Sequence, residues 1–375
     1  MGKSVTVGII GCGKIIAQYL DTFARLDEVT LRAVADIDLS RAQEVADSVD
    51  GVVALSVDDL LADPVIQVVI NLTIPAAHAD VSLRIIAAGK SVYVEKPLTS
   101  TTAEAVTVLE AGEAAGVIVG CAPDTVLGTG TQTARHFLDA GAIGTPIAAT
   151  ATMVTPGHER WHPNPDFYYV PGGGPLLDMG PYYVTALVTL LGPVARVIGA
   201  ASATRSSRTI QSGARTGEVI PVSTPTHVTG VLVHESGVLS TLTTSFDAVA
   251  TTAANIEIHG DGGTLVVPDP NQFSGDVKLW ALGDDAWTTL PVSAGYTNAA
   301  RGYGVADMLW SAQAESTDAA GEGTAPGLAP SRASGSLAFH VLDVMESLLL
   351  SAETNTSVEV ASTAERPAAI PLTDR

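Results

Sequence analysis

The chain opens with short apolar runs that alternate with amphipathic stretches. Val5–Ile10 is continuously apolar and stops at Gly11-Cys12-Gly13, after which Ile15–Ala24 has helical spacing. Leu31–Ala35 repeats the pattern and is stopped by Asp36; Ser40–Val49 follows as a helix, with Ser40 the expected N-cap. Val65–Leu72, Val92–Val94 and Val117–Gly120 predict three further strands. A turn punctuated by Pro75 with a helix through Ala88, and another helix over Thr102–Ala115, separate them. Apolar runs punctuated by helices predict βαβ units, hence a parallel sheet covered on both faces.

The pattern changes after about Cys121. Thr131–Ala140 predicts a helix and Ile147–Val154 a strand of alternating character. The Gly/Pro-rich stretch Pro156–Pro175 comes next, then a helix to Leu191. From Val194 to Leu290 the signals are mostly strands. Val228–His234 and Val238–Ser245 flank Glu235-Ser236-Gly237, and Asn255–His259 and Thr264–Val267 flank Gly260-Asp261-Gly262-Gly263, two hairpin patterns. Strands in succession without helices predict an antiparallel sheet and an α+β second domain. Thr317–Pro330 reads as an Ala/Gly/Pro linker, and Arg332–Ala352 as a long amphipathic helix. The expected division is 1–122 and 123–375.

A length of 375 residues exceeds what one core usually serves, and 46% hydrophobic with 16% charged residues excludes a disordered chain. No uninterrupted apolar run reaches the ~18 residues of a membrane span, and the first residues lack a secretory pattern. Two cysteines, Cys12 and Cys121, cannot frame a disulfide fold. The expected compartment is therefore cytoplasmic. A net charge of −21 disfavours nucleic acid, anionic membranes and strongly anionic ligands, whereas a neutral polyol meets no such penalty.

Gly11-Cys12-Gly13 lies between a buried strand and a helix, the context of a dinucleotide turn: the first Gly makes the turn, the second admits the pyrophosphate to the helix N-terminus. Ile16 stands at the third glycine position, so the fingerprint is incomplete. Asp36 ends the second strand, where a carboxylate accepts from ribose hydroxyls and repels a 2′-phosphate. This favours NAD, with NADP open through Arg41. Glu95-Lys96-Pro97 follows the fourth strand, at the edge where open parallel sheets bind ligands, and a cis Lys-Pro bond would aim the ammonium into a cleft. Asn71, Thr73, Pro75 and His78 form a similar strand-end loop. Asp178 and Tyr182, four apart after Gly172-Gly173-Gly174-Pro175, share one helix face, provided Pro181 falls in the first turn or so.

His158-Glu159-Arg160-Trp161-His162 spells the zinc-protease pattern, but Pro156-Gly157 before it and Pro163-Asn164-Pro165 after it leave no room for the helix that zinc binding needs. No metal is expected. A loop holding Trp161, His162, Tyr168 and Tyr169 fits a sugar cleft instead, with indole against the C–H face of a pyranose. Asp124 joins Trp161, His162, Tyr168, Asp178 and Tyr182 as an expected substrate contact; Arg301, Tyr303 and His340 are weaker candidates.

In this order and spacing, Gly11-Cys12-Gly13-Lys14-Ile15, Asp36, Asn71 to His78, Glu95-Lys96-Pro97 and Gly172 to Tyr182 resemble the glucose-fructose oxidoreductase / inositol dehydrogenase / rhizopine-catabolism (Gfo/Idh/MocA) family of NAD(P)-dependent oxidoreductases. The resemblance runs from Val5 to about Ala352. It implies an N-terminal Rossmann domain followed by a C-terminal α+β domain with an open, mostly antiparallel sheet that often forms a homo-oligomer contact, dimer or tetramer. It implies cofactor contacts at Gly11, Gly13, Lys14, Ile15, Asp36, Arg41, Thr73, Pro75, His78, Glu95 and Lys96. It also implies a catalytic set of Lys96, Asp178 and Tyr182. Tyr182 falls where most members carry a catalytic His, so proton transfer would depend on a phenol, ordinarily titrating near pH ~10 and lowered by a nearby ammonium and cationic nicotinamide. The implied reaction is oxidation of a secondary hydroxyl of a sugar, cyclitol or glycoside. A non-catalytic nucleotide sensor, an enzyme with non-releasable cofactor and, last, a zinc hydrolase stay open beside it.

Overall fold

Val5, Val7 and Ile9 are fully buried in β1 (Val5–Ile10), and every residue of the strands Val68–Asn71 and Ser91–Val94 is buried as well. Strands this uniformly apolar need cover on both faces, which a parallel sheet with crossover helices supplies. The elements are β1, α1 (Ile16–Phe23), β2 (Val29–Ala35), α2 (Leu39–Ser48), β3 (Val53–Ala54), α3 (Val57–Ala62), β4 (Val68–Asn71), α4 (Pro75–Ala87), β5 (Ser91–Val94), α5 (Thr102–Ala115) and β6 (Val119–Cys121). They form a six-stranded parallel sheet in the order β3-β2-β1-β4-β5-β6. The order reverses between β1 and β4, so the ligand-accepting crevice of such sheets lies at the carboxyl ends of those strands.

Local chemistry sets the helix ends. Thr101 and Glu104 make a reciprocal capping box at α5, whose end is Gly116 in the left-handed region. The cap of α2 is Asp38 rather than Ser40: the Asp38 carboxylate accepts from the Ser40 amide at 3.1 Å and hydroxyl at 2.6 Å, so the helix starts at Leu39. The short β3 and α3 went unpredicted, being two and six residues long.

The computed structural model describes residues 4–318 and 330–375. The chain forms two compact units, Met1–Leu127 with Asn298–Phe339, and Gly128–Thr297 with His340–Arg375. The expected single cut after residue 122 therefore misses a return of the chain to the first unit. Most of the expected linker over 317–330 lies outside the described residues.

The second unit holds α6 (Thr129–Asp139), β7 (Pro146–Val154), α7 (Gly174–Leu191), β8 (Val194–Ser202), β9 (Ser207–Thr209), β10 (Val219–Pro221), β11 (His227–His234), β12 (Leu239–Ser245), β13 (Ile256–Gly260), β14 (Gly263–Val267), β15 (Lys278–Ala281) and β16 (Thr288–Thr289). After them come α8 (Tyr303–Asp318), which belongs to the first unit, α9 (Gly335–Thr354) and β17 (Val358–Glu359). Nine strands pair as β16-β15-β14-β13-β7-β12-β11-β8-β17. Among them only β7–β12 is parallel. Strands β9 and β10 form a separate ribbon.

Fifteen of the eighteen residues of α7 are buried, so it is a core helix rather than an amphipathic surface one. Pro175 sits in its first turn and Pro181 lies inside it, a turn deeper than the sequence reading allowed. Pro181 removes one i→i−4 hydrogen bond at a cost of about 3 kcal/mol. Burial of side chains such as Leu187 and Leu190, about 1.5–3 kcal/mol each, offsets it. Helix α9 is long and apolar enough to cross a membrane by composition, but 61% of that stretch is buried inside the fold, as in a core helix.

Candidate functional site

Two half-sites carry the expected residues, one on each unit. In the first, Gly11 has φ +104°, and a Cβ there would stand 2.6 Å from the Leu72 carbonyl carbon and oxygen. Only glycine lets the β1 turn pass so close to the end of β4. Gly13 differs: a Cβ on it would meet nothing within 4 Å, so the missing side chain leaves open space before α1. No side chain caps α1, whose Ile16 and Gln18 amides turn back to the Gly13 and Ile15 carbonyls, and Lys14 beside them is exposed. Ile15 is the N-cap residue, in helical conformation. Asp36 accepts from the Cys12 amide at 2.7 Å with Oδ2 and from the Asp38 amide at 2.9 Å with Oδ1, which fixes its carboxylate against the turn. Burial and the Asp36 charge push the Cys12 thiol up to about 11, so it stays protonated. Arg41 is exposed and pairs with Asp38 at 3.5 Å.

The loops after β4 and β5 are tied to each other. Asn71, fully buried, gives its amide to the His78 carbonyl and Ser82 Oγ, each at 3.1 Å, while its Oδ1 takes the Thr73 hydroxyl at 2.6 Å. Pro75 opens α4 at its first turn. The His78 ring lies between two carbonyls, Nδ1 2.6 Å from Pro97 O and Nε2 3.0 Å from Thr73 O. Burial outweighs those carbonyls and holds the His78 pKa below its usual value. Glu95 is buried, with Oε1 accepting from Tyr19 Oη at 2.9 Å and Oε2 from the Lys96 amide at 2.9 Å. Lys96–Pro97 is cis, as the sequence permitted. Glu95 and His78 thus grip the Lys96-Pro97 segment from both ends.

Asp124 is a correction. It is fully buried in the first unit, and its Oδ2 accepts from the Gly302 and Gly304 amides at 2.8 and 3.1 Å. That is a loop-holding role, not one available to a substrate. Burial raises its pKa above the ordinary carboxyl range, against the opposing pull of Arg301. Tyr303 is buried in the same unit, and His340 is buried in the second, where its Nε2 accepts from the Val194 amide at 3.0 Å.

The second half-site is built around the loop before α7. His158–Arg160 is a single 3₁₀ turn, so the zinc-type helix does not form. Gly157, at φ +111°, lets the Glu159 side chain fold back to where a Cβ would lie 2.2 Å away. Glu159 then accepts from Tyr169 Oη and from Arg208 Nη1 at 3.2 Å. Arg208 also reaches Asp247 at 2.5 Å and stacks its guanidinium 5.2 Å from the Tyr169 ring centre. On this base stands an aromatic cluster. Trp161 is 58% exposed and Phe167 54%, with His162 and Tyr168 packed edge-on between them. Asp178, on α7, accepts from or pairs with His158 Nε2 at 3.1 Å, and Tyr182 is buried one turn further along.

Sequence reasoning weighed His158 and Glu159 only as members of the zinc-protease pattern and passed over Arg208 and Asp247, because their roles come from pairings 20 to 49 residues apart. It also passed over Ile37 and Ile74. These are 103% and 70% exposed at the carboxyl ends of β2 and β4, one on each side of β1. Branched apolar residues beside Asp36, at loop positions where polar ones are usual, were the available signal. With the open space at Gly13 and the uncapped α1, they fit a dinucleotide whose base needs apolar walls.

Residues 5–122 match the oxidoreductase-family, NAD-binding Rossmann-fold model of GFO/IDH/MocA proteins, and residues 131–266 match that family's C-terminal domain. A dTDP-3,4-didehydro-2,6-dideoxy-alpha-D-glucose 3-reductase of Streptomyces violaceoruber is 29% identical over 203 residues, 53% of this chain and 58% of the relative. Inositol 2-dehydrogenase 3 of Saccharopolyspora erythraea is 32% identical over 148 residues, 39% of this chain and 44% of the relative. The chain thus spans about half the length of the curated relatives it matches. An NAD binding oxidoreductase from Klebsiella pneumoniae has the same fold, with a TM-score of 0.78 and 22% identity over 96% of this chain and all of that one. The chain belongs to the GFO/IDH/MocA family of oxidoreductases, with an NAD-binding Rossmann domain followed by the family's C-terminal domain.

Proposed function

We propose that this protein is an NAD-dependent dehydrogenase that oxidises a secondary hydroxyl of a sugar, cyclitol or glycoside. The observation that carries the reading is the first half-site: an open space at Gly13 before an uncapped helix, beside an Asp36 carboxylate held against the turn. Gly11, Gly13, Lys14 and Ile15 would receive the pyrophosphate, Asp36 the adenosine ribose, and Ile37 and Ile74 the base. Arg41 is paired with Asp38, which favours NAD over NADP. Thr73, Pro75, His78 and Glu95 act by shaping the loops that present Lys96.

Bound NAD supplies the hydride acceptor. Tyr182 takes the hydroxyl proton as the hydride leaves the same carbon, the Lys96 ammonium stabilises the developing alkoxide, and Asp178 orients the ring through a neighbouring hydroxyl. Trp161, with His162 and Tyr168 behind it, offers an exposed aromatic face to the C–H side of that ring. The named activities of the relatives, on inositol and on a deoxy-sugar nucleotide, support the substrate class. A homo-oligomer formed through the nine-stranded sheet is part of the same proposal.

The test is absorbance of NADH on mixing the protein with a panel of sugars, cyclitols and glycosides, with NAD and NADP in parallel. Lys96→Ala and Tyr182→Phe should each lower kcat at least a hundredfold on the best substrate. Near-wild-type turnover in either variant refutes the assigned role. NAD binding without reduction across the panel points instead to a nucleotide sensor.

A further inference from the structure

The His158 ring has a polar partner on each nitrogen. Trp161 Nε1 lies 3.3 Å from His158 Nδ1, and Asp178 Oδ2 lies 3.1 Å from Nε2. An indole N–H can only donate, so Nδ1 must carry a lone pair. The ring proton is then on Nε2 and points at Asp178. An imidazolium would set a second N–H against the indole N–H, and the opposite tautomer would set one there too and leave Nε2 a lone pair against a carboxylate. Only one form of the ring satisfies both neighbours.

The rest of the residue is held equally firmly. Its amide donates to Tyr169 Oη at 3.0 Å, and that hydroxyl donates to Glu159, which Arg208 grips in turn. Phe246 and Tyr168 pack on the ring with centroids 4.3 and 4.5 Å away. The titratable groups on the elements around it are Glu159, Arg160, His162, Tyr168 and Tyr169 of its own loop, Asp178, Tyr182 and Tyr183 of α7, and Arg208 and Asp247 at Phe246.

We infer that His158 is a positioning residue for Asp178: an imidazole that takes the Trp161 N–H on Nδ1 and so presents its Nε2–H to the Asp178 carboxylate, orienting it for a substrate hydroxyl. The inference rests on the proposed role of Asp178 in substrate binding, and it narrows the substrate. Since the Trp161 N–H is directed to His158, the indole offers a ligand its face alone. Asp178 offers only an acceptor. One rigid unit therefore selects a ring with an apolar C–H face and a hydroxyl that donates. A carbonyl or ether oxygen in place of that hydroxyl would leave the carboxylate unmatched, the situation in which sites reject analogues most strongly.

Histidine side-chain 15N NMR on the full cofactor-free chain reads the lock without any substrate. At pH ~8, where imidazole side chains are ordinarily neutral, His158 should appear as the Nε2–H tautomer. In Trp161→Phe, which keeps a ring and removes the N–H, the bare Nδ1 resonance should shift with the loss of its donor. A wild-type His158 that carries its proton on Nδ1, or an Nδ1 resonance unmoved in Trp161→Phe, overturns the inference. The positioning role is read with myo-inositol and NAD: His158→Phe should raise KM about tenfold with kcat within threefold, and His158→Gln, whose amide can donate to Asp178, should recover most of it. An unchanged KM in His158→Phe also overturns it. Failure of the wild type to reduce NAD with any polyol would refute the proposed function instead, while the tautomer would still decide the lock.

Discussion

At the carboxyl edge of the parallel sheet, the exposed groups include a bare glycine, two apolar side chains and the cations Lys14 and Arg41. Two carboxylates there, Glu95 and Asp36, hold loops in place. In the second unit the exposed groups are side chains, Trp161 and Phe167 near a half-buried Asp178, and they rest on an ionic base of Glu159, Arg208 and Asp247. Under the proposed function, the difference follows from what each half-site would bind. A pyrophosphate is recognised by helix amides and needs close backbone approach, so small residues and tight turns suffice. A polyol is recognised by an aromatic face and individual hydroxyl partners, so side chains must be fixed at chosen angles, and fixing them requires long-range packing.

The largest test of this contrast is at Arg208, whose side chain is 1% exposed between Glu159 at 3% and Asp247 at 14%. Arg208→Met leaves two carboxylates unpaired and should destabilise the protein by about 3–5 kcal/mol. Arg84→Met in the first unit breaks only the exposed pair with Asp58 and should cost less than about 1 kcal/mol. Urea denaturation of both variants measures the gap. Equal midpoints would remove the argument that the second half-site stands on its ionic base.

Next in size is a pair of glycine variants in one turn. Gly11→Ala combines a positive φ with a Cβ 2.6 Å from the Leu72 carbonyl and should cost about 3 kcal/mol of stability. Gly13→Ala meets open space, so its melting temperature should stay at the wild-type value while NAD affinity falls about tenfold, about 1.4 kcal/mol. Calorimetric titration with NAD checks the second effect. Unchanged affinity would mean that the space before α1 is not where the pyrophosphate lies.

The same contrast explains what could be read from the chain. The first half-site is written locally: Gly11-Cys12-Gly13 follows a strand, Asp36 ends the next, and Lys96-Pro97 follows another, so topology alone brings them to one edge. The second unit's hairpins were legible from Glu235-Ser236-Gly237 and Gly260-Asp261-Gly262-Gly263, because turn residues act over a few positions. Its half-site was legible only in part. Trp161 and Asp178 were picked out by residue type, but the His158 partnership with Asp178 and the grip of Arg208 on Glu159 depend on tertiary packing that no local pattern encodes. Asp124 misled for the converse reason: a carboxylate after a sheet strand looks available until Gly302 and Gly304 return from far along the chain to bind it.

The smallest expected effect concerns three buried histidines, all with pKa values lowered by burial: His78 in the first unit, His234 and His340 in the second. An unfolded chain protonates each near pH ~6.5 while the fold keeps it neutral, so the unfolded state binds more protons and stability falls as pH drops below that value. The partners differ, however. His340 Nε2 accepts from the Val194 amide, which cannot accept in return, so a second ring proton there would lose a partner. His78 faces two carbonyls, and His234 sits between the Gly192 carbonyl and the Ser240 hydroxyl, both at 2.8 Å, so a second ring proton would find an acceptor at either. His340→Gln should therefore flatten the decline in urea midpoint between pH 7.5 and 5.5 more than His78→Gln does. If His78→Gln flattens it as much, its two carbonyls give no compensation against burial, and the two units handle buried imidazole alike.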